Sequence, residues 1–236
     1  MRVALLAILD IDIVDLDSED ILVVSSLITQ LWSLSKKPDP IPPDLLPRLN
    51  DHLRRLVPDD NFYPNPLDFV IPIWETMWRV VATTVAYARD SSESCVLAEL
   101  HRSPLPVQFG RFDGTHPSAE SFVTEVMRLH PPSQRIARVF PVHTFLPLSF
   151  VKLVTKVFGP LPLRREKADI GKVLRSGYTW GADAETFEPL RFHPSRLTPE
   201  QETMKSLPFG YGRFKCVAAS WAPMAAAIIS AAILNR

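Results

Sequence analysis

The sequence predicts a mainly α-helical chain with small β elements. Three observations carry that expectation. Apolar residues recur at helical spacing in several runs, and these runs open on capping side chains or close at proline. Strand-like stretches are confined to two short runs in the second half. The 23 prolines among 236 residues cut the chain into short elements and fixed loops.

Taken in order, the N-terminal run Met1 to Leu9 has an apolar core, but Asp10, Asp12, Asp15 and Asp17 interrupt the stretch after it. It is too short and too acidic to span a bilayer, and no small-residue cleavage site succeeds it. Asp17-Ser18-Glu19-Asp20 then caps an apolar-periodic helix reaching Trp32. Lys36 to Pro43 is a proline-rich break, a short helix spans Leu45 to Leu56, and Pro58 to Pro66 is rich in turns. The longest helical run is Leu67 to Arg89, where Pro72 is expected to kink the helix or mark its true start. Glu93 to His101 reads as another short helix. Ser118 to Leu129 reads as a capped helix stopped at His130-Pro131-Pro132, because a residue before proline avoids the helical region. Arg135 to Val142 and Lys167 to Tyr178 read as short strands and turns, and Trp180 to Pro208 as an ordered meander. From Cys216 the pattern is helical to the end. Val217 to Leu234 carries no charge, but it is alanine-rich, which suits a buried helix better than a membrane span.

Composition narrows the function classes. Twenty-six basic and 26 acidic residues give a formal net charge of zero, which removes the electrostatic case for nucleic acid. A hydrophobic share of 46% is enough for a packed core. Cys95 and Cys216 are too few for a disulfide framework, so a reducing, intracellular compartment is expected.

Four segments carry chemistry. In Phe209-Gly210-Tyr211-Gly212-Arg213-Phe214-Lys215-Cys216, two glycines allow a tight turn and close approach to a flat partner. An apolar helix following at once would put Cys216 at a helix N-terminus, which favours thiolate over thiol. Without the phenylalanine, such a turn suits a buried structural cysteine equally well. Glu125 and Arg128, three apart, share a helix face and are able to pair. Trp180-Gly181-Ala182-Asp183 to Pro189-Leu190-Arg191-Phe192 is an aromatic-rich segment holding one arginine. Glu75-Thr76 sets a carboxylate beside a hydroxyl on the longest helix, a pair able to relay protons through water. Taken alone, the last three also suit an amphipathic surface or an ordinary loop.

Their order is what carries weight. The Phe-Gly-x-Gly-x-x-x-Cys form resembles the cysteine-ligand loop of cytochrome P-450 proteins. Acid-Thr, Glu-x-x-Arg with Leu-His-Pro-Pro, the Arg-Phe segment and the cysteine loop succeed one another as in that family. The likeness covers residues 66–236, with 1–65 left as upstream helices of the same partial domain. It implies the C-terminal part of the cytochrome P-450 fold: a long oxygen-side helix, the Glu-x-x-Arg helix, the meander, the loop and the helix after it.

The resemblance further implies haem, with Cys216 as the iron's thiolate ligand and Phe209, Gly210, Gly212, Arg213, Cys216 and Arg138 around the cofactor. Glu75 and Thr76 become the catalytic proton-relay pair, and Glu125, Arg128 and Arg191 a buried charge network. The implied function is monooxygenation: O2-dependent oxidation of a lipophilic small molecule with electrons from an external reductase, in the cytoplasm or on the cytoplasmic face of the endoplasmic reticulum. Membrane association stays open. Trp74-Glu75-Thr76-x-Trp78-Arg79 and Cys216-x-Ala218-x-x-Trp221-Ala222-Pro223 are similar to divergent fungal members linked to secondary metabolism.

Departures from the pattern are Phe214 for a basic residue that pairs with a haem propionate, Ala218 for a glycine, Ile73 for a small residue at the oxygen groove, and Leu190 before Arg191. Arg213 and Lys215 flank Phe214 and offer substitutes. The likeness also implies a chain shortened at both ends, holding haem poorly and turning over little substrate by itself. The alternatives are a non-catalytic relative or split-gene fragment, and an interaction protein anchored by Val217 to Leu234.

Overall fold

The structure is a computed structural model describing residues 1–9, 11–12, 14, 16–37, 39–141, 156, 159, 163–212 and 215–235, with backbone alone at 3–4, 7–8, 72–73, 140–141 and 163. It is mainly helical, with one small antiparallel sheet among the described residues. The chain divides into two compact units, Met1–Ala82 and Thr83–Arg236.

The first unit begins with α1 (Arg2–Leu9), α2 (Ser18–Leu34) and α3 (Leu45–Leu56). The acidic interruption seen in the sequence comes after α1, which turns Leu5 and Leu9 into the core. Asp17 caps α2 by accepting the backbone N–H groups of Glu19 and Asp20, donors that a helix start otherwise leaves unsatisfied. On α3, Leu45, Leu49, Leu53 and Leu56 fall on one face and are all buried. They pack with Val24, Leu27 and Ile28 of α2. Each such side chain contributes about 1.5–3 kcal/mol through burial.

α4 (Leu67–Asp90) crosses the boundary between the units. It neither begins nor breaks at Pro72. The helix starts five residues earlier and runs through Pro72, which lies past the first turn and forgoes the N–H bond that another residue there would give the Asp68 carbonyl.

The second unit continues with α5 (Cys95–Arg102), α6 (Pro106–Phe109) and α7 (Ala119–Leu129), then β1 (Arg135–Pro141) and β2 (Leu163–Asp169). The strands pair antiparallel, with Arg135 opposite Asp169 and Arg138 opposite Glu166. Val142, expected to end the first strand, lies outside the described residues. α7 matches the sequence pattern closely. Ser118 and Ser121 form a reciprocal capping box with both N–H···O distances at 3.0 Å, and His130 closes the helix through its N–H to the Val126 carbonyl. Every residue of α7 except Glu120 is buried, so this helix is the centre of the unit.

Three expectations need correction here. The stretch after β2 is not strand and turn but two short helices, α8 (Ile170–Leu174) and α9 (Gly177–Trp180). Asp169 starts the first by accepting the Lys172 N–H at 2.9 Å. The meander contains a further helix, α10 (Pro199–Lys205), with Thr198 and Gln201 in a capping box and proline at its start. Finally, Cys216 does not head a continuous helix. A 3₁₀ turn, Val217–Ser220, intervenes before α11 (Ala222–Leu234). Pro223 has no N–H to give the Ala219 carbonyl, so a helix begun at Val217 cannot run on through it. α11 packs against α5 and α7, burying Ala226, Ala227, Ser230 and Ala231. Among the described residues no helix is long and apolar enough to cross a membrane.

Candidate functional site

The cysteine loop is built by its glycines. Leu207–Phe209 makes a 3₁₀ turn, then Gly210 at φ 81° and Gly212 at φ 63° take the left-handed region that a side chain would resist. The loop closes where the Cys216 N–H donates to the Phe209 carbonyl at 2.7 Å. Lys215 N–H donates to the Gly212 carbonyl at 3.1 Å. Cys216 caps a four-residue 3₁₀ turn, so the dipole argument for a thiolate loses the long helix it relied on. What remains is presentation. Cys216 is exposed, flanked by Val217 and close in sequence to Tyr211 and Trp221, each exposed as well. An exposed thiol in a stretch of chain with exposed Tyr211, Val217 and Trp221 fits a flat, apolar prosthetic group bound through sulfur. Among the described residues, a Cβ at Gly212 would meet nothing within 4 Å. Arg213 and Phe214 lie outside the described residues. Arg138 is exposed on β1. α8 packs against both β1 and the Leu207–Phe209 turn.

The charge network is assembled at α7. Glu125 is fully buried and accepts from Arg128 Nε at 2.6 Å and Nη2 at 2.9 Å, and from Arg191 Nε at 3.0 Å. The Glu188 backbone N–H supplies a further donor at 3.0 Å. Arg128 Nη1 donates to the carbonyls of Leu174 (3.0 Å) and Ala184 (2.6 Å). Arg191 Nη2 donates to the Asp183 carbonyl (3.0 Å), to Asp183 Oδ2 (3.1 Å) and to the Thr186 carbonyl (3.2 Å). Glu125, Arg128 and Arg191 thus meet at one point, and the two arginines tie residues 174–186 to the central helix. A buried charge set is tolerable only when its hydrogen bonds are filled, as they are around this carboxylate.

Glu75 and Thr76 lie on α4. Glu75 is buried, and one of its oxygens is held by Arg79 one turn on. Its Oε2 has no hydrogen-bond partner among the described residues. Thr76 is engaged. Ile73 lies in α4 and is described by backbone alone.

Several contributors went unnoticed in the sequence. Arg79 is one, although its i,i+4 spacing from Glu75 was legible. Asp183 and Trp180 sit inside the aromatic-rich segment, but only folding shows that they meet Arg191. Tyr87 carries no local signal at all. Its hydroxyl lies 2.8 Å from His130 Nε2, and its ring stacks on Phe187 with centroids 4.4 Å apart. Burial raises the Tyr87 pKa, with the Glu125 charge adding to it. Burial lowers that of His130, helped by the Arg175 charge.

Comparison with known proteins agrees with this geometry. The family model described as Cytochrome P450 matches residues 117–236, which hold the α7 network, the meander and the cysteine loop. Secologanin synthase 2 and secologanin synthase 1 of Catharanthus roseus are each 30% identical over 113 residues, 48% of this chain. That match spans 20% of each relative's own length. Because the family model covers half of the residues and takes in both the buried network and the loop, the chain belongs to the cytochrome P450 family.

Proposed function

We propose that this chain holds haem through the Cys216 sulfur and serves the O2-dependent oxidation of a lipophilic small molecule. The observation that carries the reading is an exposed thiol at the end of a glycine-shaped loop, within the segment matched to the family. Haem bound there would supply activation of O2, which an axial thiolate favours by pushing electron density onto the iron.

The chain's own residues have simpler tasks. Cys216 provides the single sulfur donor, and Gly210 and Gly212 keep side-chain bulk away from a flat ring system. Arg138 and Arg213 are the proposed cationic partners of the haem carboxylates. Phe209 covers the loop's apolar side. Glu125, Arg128 and Arg191 hold the meander on α7. Glu75 Oε2 and Thr76 Oγ1 are the proposed pair that passes protons, a buried carboxylate oxygen without a hydrogen-bond partner among the described residues and the hydroxyl of the next residue. Electrons would come from a separate reductase. The lipophilic substrate is taken from the family likeness, and the place in secondary metabolism from the residue pattern around Glu75 and Cys216; the matched relatives are named as secologanin synthases, and nothing more is taken from them.

The test is the absorption spectrum of the reduced protein under carbon monoxide. The red-shifted band of a thiolate-ligated haem is expected from wild type and from Cys95→Ala, and its loss from Cys216→Ala. Wild type without the band, or Cys216→Ala with it intact, would overturn the assignment.

A further inference from the structure

The Glu125 network has a charge surplus that its hydrogen bonds do not remove. One carboxylate at the centre faces two guanidinium ions, all three buried. Asp183 brings a second carboxylate to Arg191, but its side chain is 57% exposed, so water screens it. Arg128 shows how fully the donors are used. Nε goes to Glu125, Nη1 to two carbonyls, and Nη2 to Glu125 and, at 3.4 Å, to the Thr186 carbonyl. With its five N–H groups spent, what is left of this cation is its planar face.

Trp180 offers its own face to this cation. Its ring centroid lies 5.1 Å from Arg128 Cζ and 5.8 Å from Arg191 Cζ, within the range where a buried cation is attracted to the negative face of a ring. The indole is 4% exposed and packs edge-on against Phe192, centroids 5.7 Å apart. Its Nε1 has no hydrogen-bond partner among the described residues. Buried tryptophans normally satisfy that N–H, because leaving it bare is costly. A phenylalanine would avoid the cost, so the indole is kept for something phenylalanine does less well. Tryptophan has the strongest cation-binding face of the aromatic residues.

We propose that Trp180 is the fourth member of the network, a positioning residue whose π face carries the surplus positive charge of Arg128 and Arg191. The geometry supplies a reason for its place. Trp180 ends α9, inside residues 174–186 that the two arginines tether to α7, so the tethered segment itself closes over the cations that hold it. This role does not depend on haem binding at Cys216, and its test reads folding alone.

The experiment replaces Trp180 in the full chain, site-specifically, by tryptophans carrying one, two and three ring fluorines. Fluorine drains the negative face while leaving the shape nearly unchanged, so no large cavity is opened and the variants should fold. The expected result is a urea midpoint that falls stepwise with each fluorine. Trp180→Phe should fall below wild type while keeping the fold. A midpoint that stays flat or rises along the fluorine series would overturn the proposal. Trp180 would then be filling space, since a purely apolar role gains slightly from added fluorine.

Discussion

In the first unit a carboxylate joins two helices at the rim of a leucine seam, and in the second a carboxylate is the middle of the core. Asp20 of α2 accepts from Arg55 Nη2 at 2.7 Å and Nε at 3.0 Å, and lies 2.6 Å from His52 Nδ1. Its partners look outward, with the Arg55 side chain 54% exposed and His52 22%. Glu125, Arg128 and Arg191 make the same kind of contacts with exposures of 0, 2 and 8%. The chemistry is alike and the dielectric is not. Near water, a guanidinium that loses its carboxylate is resolvated at little cost. In the core the stranded ion has nowhere to turn, so the network matters most for what its absence would leave behind.

That difference predicts the largest effect. Glu125→Ala should cost about 3–5 kcal/mol, because two guanidinium ions remain buried without their anion. Urea denaturation of the second unit measures it. Arg191→Met should cost less than Glu125→Ala, since Glu125 keeps Arg128 and the Glu188 N–H. If Glu125→Ala costs no more than the matching change at Asp20, burial is not what separates the two clusters.

How much of this was legible beforehand depends on the range of each interaction. α7 could be read because its cap, its stop and its Glu125–Arg128 pair are all local: Ser118, then a spacing of three, then proline after His130. Arg191 needed the family likeness, since nothing in local spacing tells a residue 66 positions away to bond Glu125. Trp180 and Tyr87 act through long-range contacts and gave no signal. Two misses were legible in principle. Thr198-Pro199-x-Gln201 is a capping box with proline at the first helical position, and it starts α10. Pro223 forbade the unbroken helix expected after Cys216. The prolines between Trp180 and Pro208 suggest only an ordered meander, and the apolar run after Cys216 outweighs Pro223, yet each of these prolines has a position to mark.

The second prediction sharpens the comparison at Asp20. Arg55, by hydrogen bonding first and charge as well, holds the Asp20 carboxyl below the usual carboxylate range, against the opposing effect of burial. A depressed folded pKa contributes stability that is present above the unfolded value of about 3.9 and is lost as pH falls through the folded one. The stability gap between wild type and Asp20→Asn should therefore close only in strong acid. Raising salt should also narrow it, while the Glu125→Ala loss stays unchanged, because salt reaches the half-exposed Arg55 that pairs with Asp20, whereas all three ions of the Glu125 network are buried. Equal salt sensitivity at the two sites would show that water reaches both.

The smallest effect is expected at His130, where the second unit's core reaches its surface. Here the folded pKa is lowered, by burial first and by the Arg175 charge second. The unfolded chain takes up the proton near pH 6.5, whereas the folded one resists. Stability from this site is therefore full above about pH 6.5 and declines as pH falls below it. The decline ends once the folded pKa is passed. Tyr87 gives the cause a structure: its hydroxyl lies 2.8 Å from Nε2, where it can donate to the neutral ring, and protonation of that nitrogen would remove the acceptor. His130→Gln should remove the decline, so the difference between the two stability curves should appear below about pH 6.5 and vanish above. Tyr87→Phe should shift the His130 imidazole titration, read by proton NMR of its ring, without abolishing it, since partial desolvation and Arg175 remain. A His130→Gln curve running parallel to wild type through that window would mean that this exposed ring takes up a proton as freely in the folded chain as in the unfolded one, with neither Tyr87 nor partial desolvation holding it back.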